Sequence, residues 1–523
     1  MKNIIFCLAA ICVLLAGCNQ KNVKTEVEQW DIYEIVLNGP SSGNPYMEVE
    51  IAAIFKNNEI SLIIPGFYDG NGIYRIRFSP PSRGNWTYQT KSNTKRLENK
   101  KGHFLCIPAT VKNHGPLKIV NTFYFEYADG TPFYSIGTTA YQWTSVKQSI
   151  QEKTIETLAR GPFNKIRMCV FPKSYRYGND TEPFMYPFGR KDSINDFSKP
   201  NFEFFQNFDK RLKQLMDLGI QADVILFHPY DRWGYSEMGA ELNMKYVRYM
   251  IARISAYRNV WWSLANEWDV PRIKGSIDWD GIGRLLQNED PHQRFRGIHN
   301  WYGSENHFYD HTQPWVTHVS TQSSQFYNGI KWRNQYKKPL LFDEMRYEGD
   351  VESNWGNLSG QEMSSYFWMA GLSGGYPTHG DTFKNNSDDS TEVRWWAKGG
   401  ILVGESPVRI QFFKSMLEQA PVIEMTPHLI DNNKPGEINN NYIPGILQNF
   451  IYIFSKPGEY YLAYTAGKDK LIELNLTPEK KYKMEVIDTW NMQITEEKRI
   501  DQGIIKYRTA TPYTALRITL IIK

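Results

Sequence analysis

Two glutamates that each end an apolar run are the residues of this chain best suited to chemistry. The first lies in Asn259-Val-Trp-Trp-Ser-Leu-Ala-Asn-Glu-Trp-Asp269, where Asn266, Glu267 and Asp269 follow a stretch of apolar and small residues. The second is Glu344, at the end of Pro339-Leu-Leu-Phe-Asp-Glu344. A short apolar run that breaks into a carboxylate reads as a buried parallel strand delivering its last side chains to a surface cleft. For an isolated Asn-Glu pair, a strand followed by a solvated loop is the alternative. Two carboxylates facing each other are what cleavage of a glycosidic bond needs. One stays protonated to help the leaving oxygen depart, and the other is ionised to meet the developing oxocarbenium ion.

The elements around these runs must bring them face to face. Between about Asn113 and Leu417, apolar runs alternate with helical patterns, which predicts βα units. Candidate strands are Phe133–Thr139, Phe163–Phe171, Ala222–Phe227, the opening run, Phe295–His299, Trp315–Ser320, Pro339–Glu344 and Gly371–Tyr376. Between them, Phe205, Phe208, Leu212 and Leu215 form one apolar stripe that Gly219 ends, and Val247, Met250, Ile251 and Ile254 form another. A further helix is expected from Glu362 to Ala370. Eight strand signals match a (β/α)8 TIM barrel with insertions. A Rossmann-like winding is discounted because no Gly-x-Gly-x-x-Gly follows the first strand. In such a barrel, functional groups sit at the C-terminal ends of strands. That rule selects Tyr141, Arg167, His228, Asn266, Glu267, His299, Gln322 and Glu344, with His379 and Asp381 after the last strand. Arg167, inside an apolar strand, needs a carboxylate partner, either Glu344 or a structural ion pair. Asp343 precedes Glu344 directly and is expected on the opposite face of its strand; Glu348 is a further competitor in the loop beyond. Trp143, Trp233, Trp268, Trp301, Trp395 and Trp396 are candidate stacking platforms, each with core packing as the alternative.

Flanking segments read differently. Residues 21–108 and 421–523 show short alternating strands with turn signals, predicting an N-terminal immunoglobulin-like β-sandwich and a small C-terminal β-sandwich around a barrel at 109–420. In the first, Trp30–Leu37, Met47–Ile51, Ile73–Phe78 and Trp86–Thr90 alternate. A formal charge of +4 over 523 residues excludes a strongly basic nucleic-acid binder. An aromatic content of 15% suits flat, hydroxyl-rich ligands such as sugars. Lys2 and the apolar run Ile4–Leu15 form a signal segment for residues 1–20, and Leu15-Ala16-Gly17-Cys18 resembles the bacterial lipobox. The expectation is a lipid on Cys18, an outer-membrane lipoprotein facing the periplasm, and membrane contact through that anchor alone. Cys106 and Cys169 fall in different predicted domains, so no disulfide framework is expected.

On these residues the chain resembles the clan A glycoside hydrolases. The resemblance rests on Asn266-Glu267 at the fourth strand and on Glu344 in Phe-Asp-Glu-Met-Arg-Tyr-Glu at the seventh. It implies Glu267 as general acid/base, Asn266 as binder of the sugar 2-hydroxyl and Glu344 as nucleophile of a retaining enzyme. Tyr141, Arg167, His228, His299, Gln322, Trp301 and His379 are candidate substrate contacts. Asn44-Pro45, Gly66-Phe-Tyr-Asp-Gly70 and Thr378-His-Gly-Asp381 further resemble Bacteroidetes glycanases with family-five-like or apiosidase-like barrels between two β-sandwiches. One departure stands out. The clan often carries His-x-Tyr near strand six, whose Tyr touches the nucleophile, whereas Thr317-His-Val-Ser-Thr-Gln322 has no such Tyr; Gln322 is the candidate substitute. The implied reaction takes an oligo- or polysaccharide and needs no metal or organic cofactor. A tethered, non-catalytic glycan-binding protein is the alternative, and a metal-dependent hydrolase a third reading that lacks clustered His ligands.

Overall fold

A computed structural model of the chain describes residues 25–521 except 59, 175–181, 271–276, 302, 304, 385–394, 434–445 and 501–502. The signal segment and Cys18 lie outside the described residues.

The middle of the chain forms one sheet of eight parallel strands. In chain order they are β1 (Gly137–Thr139), β2 (Lys165–Cys169), β3 (Gln221–Phe227), β4 (Val260–Ala265), β5 (Arg296–Gly297), β6 (Val319–Gln322), β7 (Leu340–Glu344) and β8 (Gly375–His379). Each pairs with the next, β8 returns to pair with β1, and the ladder is interrupted only between β5 and β6. There the chain is held by the Thr317 amide donating to the Arg296 carbonyl at 2.9 Å. The result is a nearly closed barrel. Among the described residues its longer helices are α1 (Gln148–Leu158), α2 (Phe202–Asp217), α3 (Ala240–Ile254), α4 (Trp279–Glu289), α5 (Gly329–Tyr336), α6 (Gly360–Leu372) and α7 (Ser406–Glu418), with a single turn at Trp395–Lys398 before α7. Among the described residues, a 3₁₀ turn at Glu305–His307 is the only helical element between β5 and β6, so the expected alternation departs from (β/α)8 there.

Local sequence explains most of these elements. Asn201 caps α2 by accepting the Phe204 amide; Phe204, Phe205, Phe208, Leu212 and Leu215 bury one stripe, and Gly219, at φ 73°, ends the turn. Ser359 and Glu362 close a capping box on α6. Several boundaries moved. Gly371 and Leu372 are the last residues of α6 rather than the start of a strand, and Ser373-Gly374 (φ 83°) carries the chain into β8 four residues later than expected. β5 and β6 are shorter than the runs Phe295–His299 and Trp315–Ser320, and β6 extends to Gln322. Phe133 leaves the first strand for a separate three-stranded sheet of Leu117–Val120, Tyr124–Tyr127 and Pro132–Phe133. That sheet plugs the barrel at the N-terminal ends of its strands, with Phe125 ringed by Trp261, Phe295 and Tyr376 at 5.0–5.3 Å.

The N-terminal strands form a seven-stranded sheet that folds over on itself. Strand Ser61–Tyr68 pairs with Ile51–Lys56 through its first half and with Ile73–Phe78 through its second. This brings Tyr33 onto Phe104 from distant positions in the strand order, with ring centroids 3.9 Å apart. Met47-Glu48 belongs to a one-turn helix that Asn44 caps, so the predicted strand begins only at Ile51. The C-terminal six-stranded antiparallel sheet has one face on the barrel and one on a two-stranded ribbon. Phe450, Tyr452 and Phe454 enter the barrel core, while Ile451 and Ile453 enter the second core. A strand covered on both faces carries a continuous apolar run, as this one does.

Both flanking units are joined to the barrel through buried contacts. Arg77 pairs with Asp209 of α2 at 2.8 Å, and Arg253 of α3 pairs with both Asp209 (2.8 Å) and Asp69 (2.9 Å). Phe67 lies under the guanidinium groups of Arg77 and Arg253, and Gly70 packs on Phe202. The segment Gly66–Gly70 is therefore a domain joint. Asn44 adds to it by donating to the Ser198 carbonyl at 3.0 Å.

Candidate active site

The barrel interior is polar beneath its mouth. Lys165 and Arg167 of β2 point inward against Asp223 of β3 and Asp343 of β7. Asp343 takes Lys165 at 2.5 Å, Arg167 at 2.9 Å and the Ser320 hydroxyl at 2.6 Å, and Thr378 donates to it at 3.3 Å. Two cations and two carboxylates, all fully buried, thus form a charge-balanced layer. They hold Asp343 far below the ordinary carboxylate range although burial alone would raise it. Arg167 is spent here: besides Asp343 it reaches Ser320 (3.3 Å) and Asn266 (3.4 Å). Of the two expected partners, the structural ion pair is the one observed, and Arg167 lies below the cleft.

Above this layer stands Glu344. Tyr141 donates to its Oε1 and Tyr347 to its Oε2, the latter at 2.6 Å, and the two phenols lie 3.2 Å apart. Nε2 of His299 is 3.3 Å from Oε1, while its Nδ1 is 3.2 Å from the Ser320 hydroxyl that also serves Asp343. Asp343 and Glu344 therefore both meet inward-facing groups, against the opposite-face expectation. The register shifts between Thr321 and Gln322, so that Gln322 pairs with Glu344, and this irregularity breaks strict alternation. Burial would raise the Glu344 carboxyl, but contact with His299 and the charges of Lys173 and Arg167 outweigh it and bring it to about 2.

Glu267 follows β4 with φ 56°, a left-handed conformation costing about 1–3 kcal/mol for a non-glycine residue. The Trp268 amide fixes that turn by donating to the His299 carbonyl at 2.9 Å. Burial pushes the Glu267 carboxyl up to about 8; Lys173 pulls the other way, and the negative Glu344 and Asp269 add to the rise. Lys173, in the loop after β2, sits 4.1 Å from the Tyr141 ring centre. Asn266 is buried, donating to the Tyr230 hydroxyl at 3.0 Å.

These surroundings favour a protonated Glu267 and an ionised Glu344 at the same mouth. A model of the apiosidase-like catalytic domain matches residues 120–388, just over half of the chain. The chain belongs to that family. Two domains of unknown function, DUF5060 and DUF5605, match residues 26–93 and 451–519. A solved structure from Bacteroides vulgatus ATCC 8482, provisionally described as a glycoside hydrolase, shares 34% identity over 95% of this chain and 100% of that one, with a TM-score of 0.83. A family 5 glycoside hydrolase from the same organism is similar in fold alone, at 14% identity over 78% of this chain and 94% of that one, TM-score 0.58. The fold is thus of the clan A glycoside hydrolase kind. No curated protein matches.

Within the apiosidase-like barrel, Tyr141, Asn266, Glu267, His299 and Glu344 come together. His228 directly follows β3 and is buried, its ring 4.1 Å from that of Tyr230. Gln322 pairs with Glu344 through the backbone register, and its amide donates to Asn300 at 3.1 Å; Tyr347 and Tyr141 occupy the position expected of its side chain. His379 is not brought to the carboxylates. It stacks on Phe163 at 5.0 Å and faces Glu348 at 3.9 Å. Glu348 is structural, accepting from the Glu405 and Ser406 amides and the Ser406 hydroxyl at the start of α7. Asp381 accepts the Val403 and Gly404 amides at 2.6 and 2.8 Å, so Thr378-His-Gly-Asp381 braces the site from outside it. Of the candidate platforms, Trp143, Trp233, Trp395 and Trp396 are buried, whereas Trp268 and Trp301 reach solvent. Trp301 is held beside the mouth by its amide on Asp269 at 2.5 Å. Two aromatics had no place among the expected residues. Trp355 and Tyr347 form one wall with Trp396, with ring centres 5.4–6.1 Å apart. The signal was Tyr347 itself, three residues past Glu344 in the run already singled out.

Proposed function

We propose that this protein is a retaining glycoside hydrolase, with Glu344 as nucleophile and Glu267 as general acid/base. The observation that carries this is the pair of carboxyls at one barrel mouth whose surroundings favour opposite protonation states. In the first step a Glu344 oxygen attacks the anomeric carbon. The glycosidic C–O bond breaks, and the Glu267 proton passes to the leaving oxygen. In the second step Glu267 takes a proton from water, the water oxygen bonds to the anomeric carbon, and Glu344 is released. Asn266, fixed by Arg167 and Tyr230, is placed to meet a sugar hydroxyl. Trp301 and Trp355 offer stacking faces for an oligo- or polysaccharide of plant or host origin. The architecture read on this basis is a barrel of the (β/α)8 kind, with a 3₁₀ turn in place of the helix between β5 and β6, set between an immunoglobulin-like sandwich and a small C-terminal sandwich. The protein would be held to the outer membrane, facing the periplasm, by a lipid on Cys18.

The test is a panel of plant and host oligosaccharides with product detection, run beside Glu344→Gln and Glu267→Gln. Both variants are expected to lose about 10³-fold or more in turnover, with proton NMR showing retained anomeric configuration in the wild-type product. Turnover by both variants at the wild-type rate would remove the assignment, and an inverted product would remove the retaining mechanism.

A further inference from the structure

The hydroxyl of Tyr347 has no evident packing purpose. Its ring is held on several sides: Trp396 stacks on it at 6.1 Å and 17°, and Trp355 meets it edge-on at 5.9 Å. Gly380 lies so close that an added Cβ would come within 2.0 Å of the ring. Its backbone is equally fixed, the amide donating to Trp355 at 2.8 Å and the carbonyl accepting from Leu358 at 3.0 Å. Arg346, at φ 76°, turns the chain so that a residue three positions past Glu344 comes back over it. A phenylalanine would fill the same space. What the oxygen adds is a donor aimed at Glu344 Oε2, 2.6 Å away, with the Tyr141 hydroxyl 3.2 Å to the side. Burial and the charge of Glu344 push both phenols far above their ordinary range, so each keeps its proton and donates.

The two Glu344 oxygens are not equivalent. Oε1 has Tyr141 and, at 3.3 Å, His299; Oε2 has Tyr347. We infer that Tyr347 is a positioning residue for Glu344: its phenol, locked by Gly380 and Trp396, holds Oε2 and, with Tyr141 on Oε1, fixes the carboxylate plane. This rests on the reading of Glu344 as nucleophile. It also gives the loop after β7 the task that the end of β6 does not perform in this chain.

Tyr347→Phe removes one oxygen and keeps the ring contacts. Its melting temperature is expected to stay within a few degrees of wild type. The kcat should fall roughly 10- to 100-fold, the loss typical of a hydrogen bond to a charged group, with KM within threefold. Removing a donor to the ionised form raises the Glu344 pKa, so the acidic limb of the rate profile moves upward. Gly380→Ala, which displaces the ring, should move that limb in the same direction. A readout independent of turnover is a carbon-13 NMR titration of carboxyl-labelled glutamates, with Glu344 assigned by Glu344→Gln. If the wild type cleaves nothing on the panel, the proposed function fails. A raised Glu344 titration in Tyr347→Phe would still support the positioning role. An unmoved titration, or an unmoved acidic limb with kcat within twofold of wild type, overturns it.

Discussion

Under the proposed mechanism, the rate should report two carboxyls with opposite needs. In that mechanism Glu267 must hold a proton and Glu344 must not. Raising pH through about 8 strips Glu267, so activity is expected to fall there; lowering pH leaves Glu344 ionised down to about 2, so the acidic side is broad. Lys173 lowers both carboxyls, and Lys173→Met is expected to shift both limbs upward in a pH profile of kcat/KM. Asp343 and Glu348 differ from this pair. Asp343→Asn leaves Lys165 and Arg167 underpaired in the barrel interior. A loss of about 3–5 kcal/mol is expected in denaturant titration, together with lost activity through Asn266 and Ser320. Glu348→Gln should lower stability while leaving both limbs of the profile in place, because that carboxylate holds backbone amides outside the cleft.

At the scale of elements, strand ends were easier to read than strand lengths. An apolar run breaking into Asn266-Glu267 or Asp343-Glu344 marks a strand end directly, and both glutamates stand at the mouth. What the runs could not show was where pairing stops. Phe133 and Phe295 are as apolar as any strand residue, yet they meet Phe125 in the plug. Gly371-Leu372 fits a strand by composition and ends a helix because the chain leaves the helix only at Ser373 and Gly374, the latter at positive φ. The inward turn of both Asp343 and Glu344 depends on a register shift between two strands, which no pattern within either strand encodes. Tyr347 required knowledge that Arg346 adopts a left-handed conformation. The capping box can be tested by itself: Ser359→Ala is expected to cost about 1 kcal/mol in thermal or chemical denaturation, with pH limbs unchanged.

For the whole molecule, the three units share buried groups and should not unfold independently. Arg253 binds Asp69 of the N-terminal unit and Asp209 of the barrel with one guanidinium. Replacing it by Met leaves Asp69 with Arg75 and Asp209 with Arg77 but removes the cation they share, at a cost of about 1–3 kcal/mol. Calorimetry should show one transition for the wild type and a separated, lower transition for Arg253→Met. The C-terminal sheet contributes Phe450, Tyr452, Phe454, Tyr460, Leu462 and Tyr464 to the barrel's own core. A chain ending near residue 421 would expose the surface they cover, and its product should be aggregated in size-exclusion chromatography rather than a trimmed active barrel.

The placement of tryptophan has an optical consequence. Of the sixteen, only Trp30, Trp268, Trp301, Trp355 and Trp490 reach solvent, and three of these five belong to loops at the barrel mouth. The long-wavelength edge of the emission spectrum therefore comes largely from the cleft, while the buried majority emits to the blue. A sugar covering Trp301 or Trp355 would withdraw that edge without a label or a turnover event, so that occupancy can be followed in Glu344→Gln, the variant expected to be inactive, before its substrate is known.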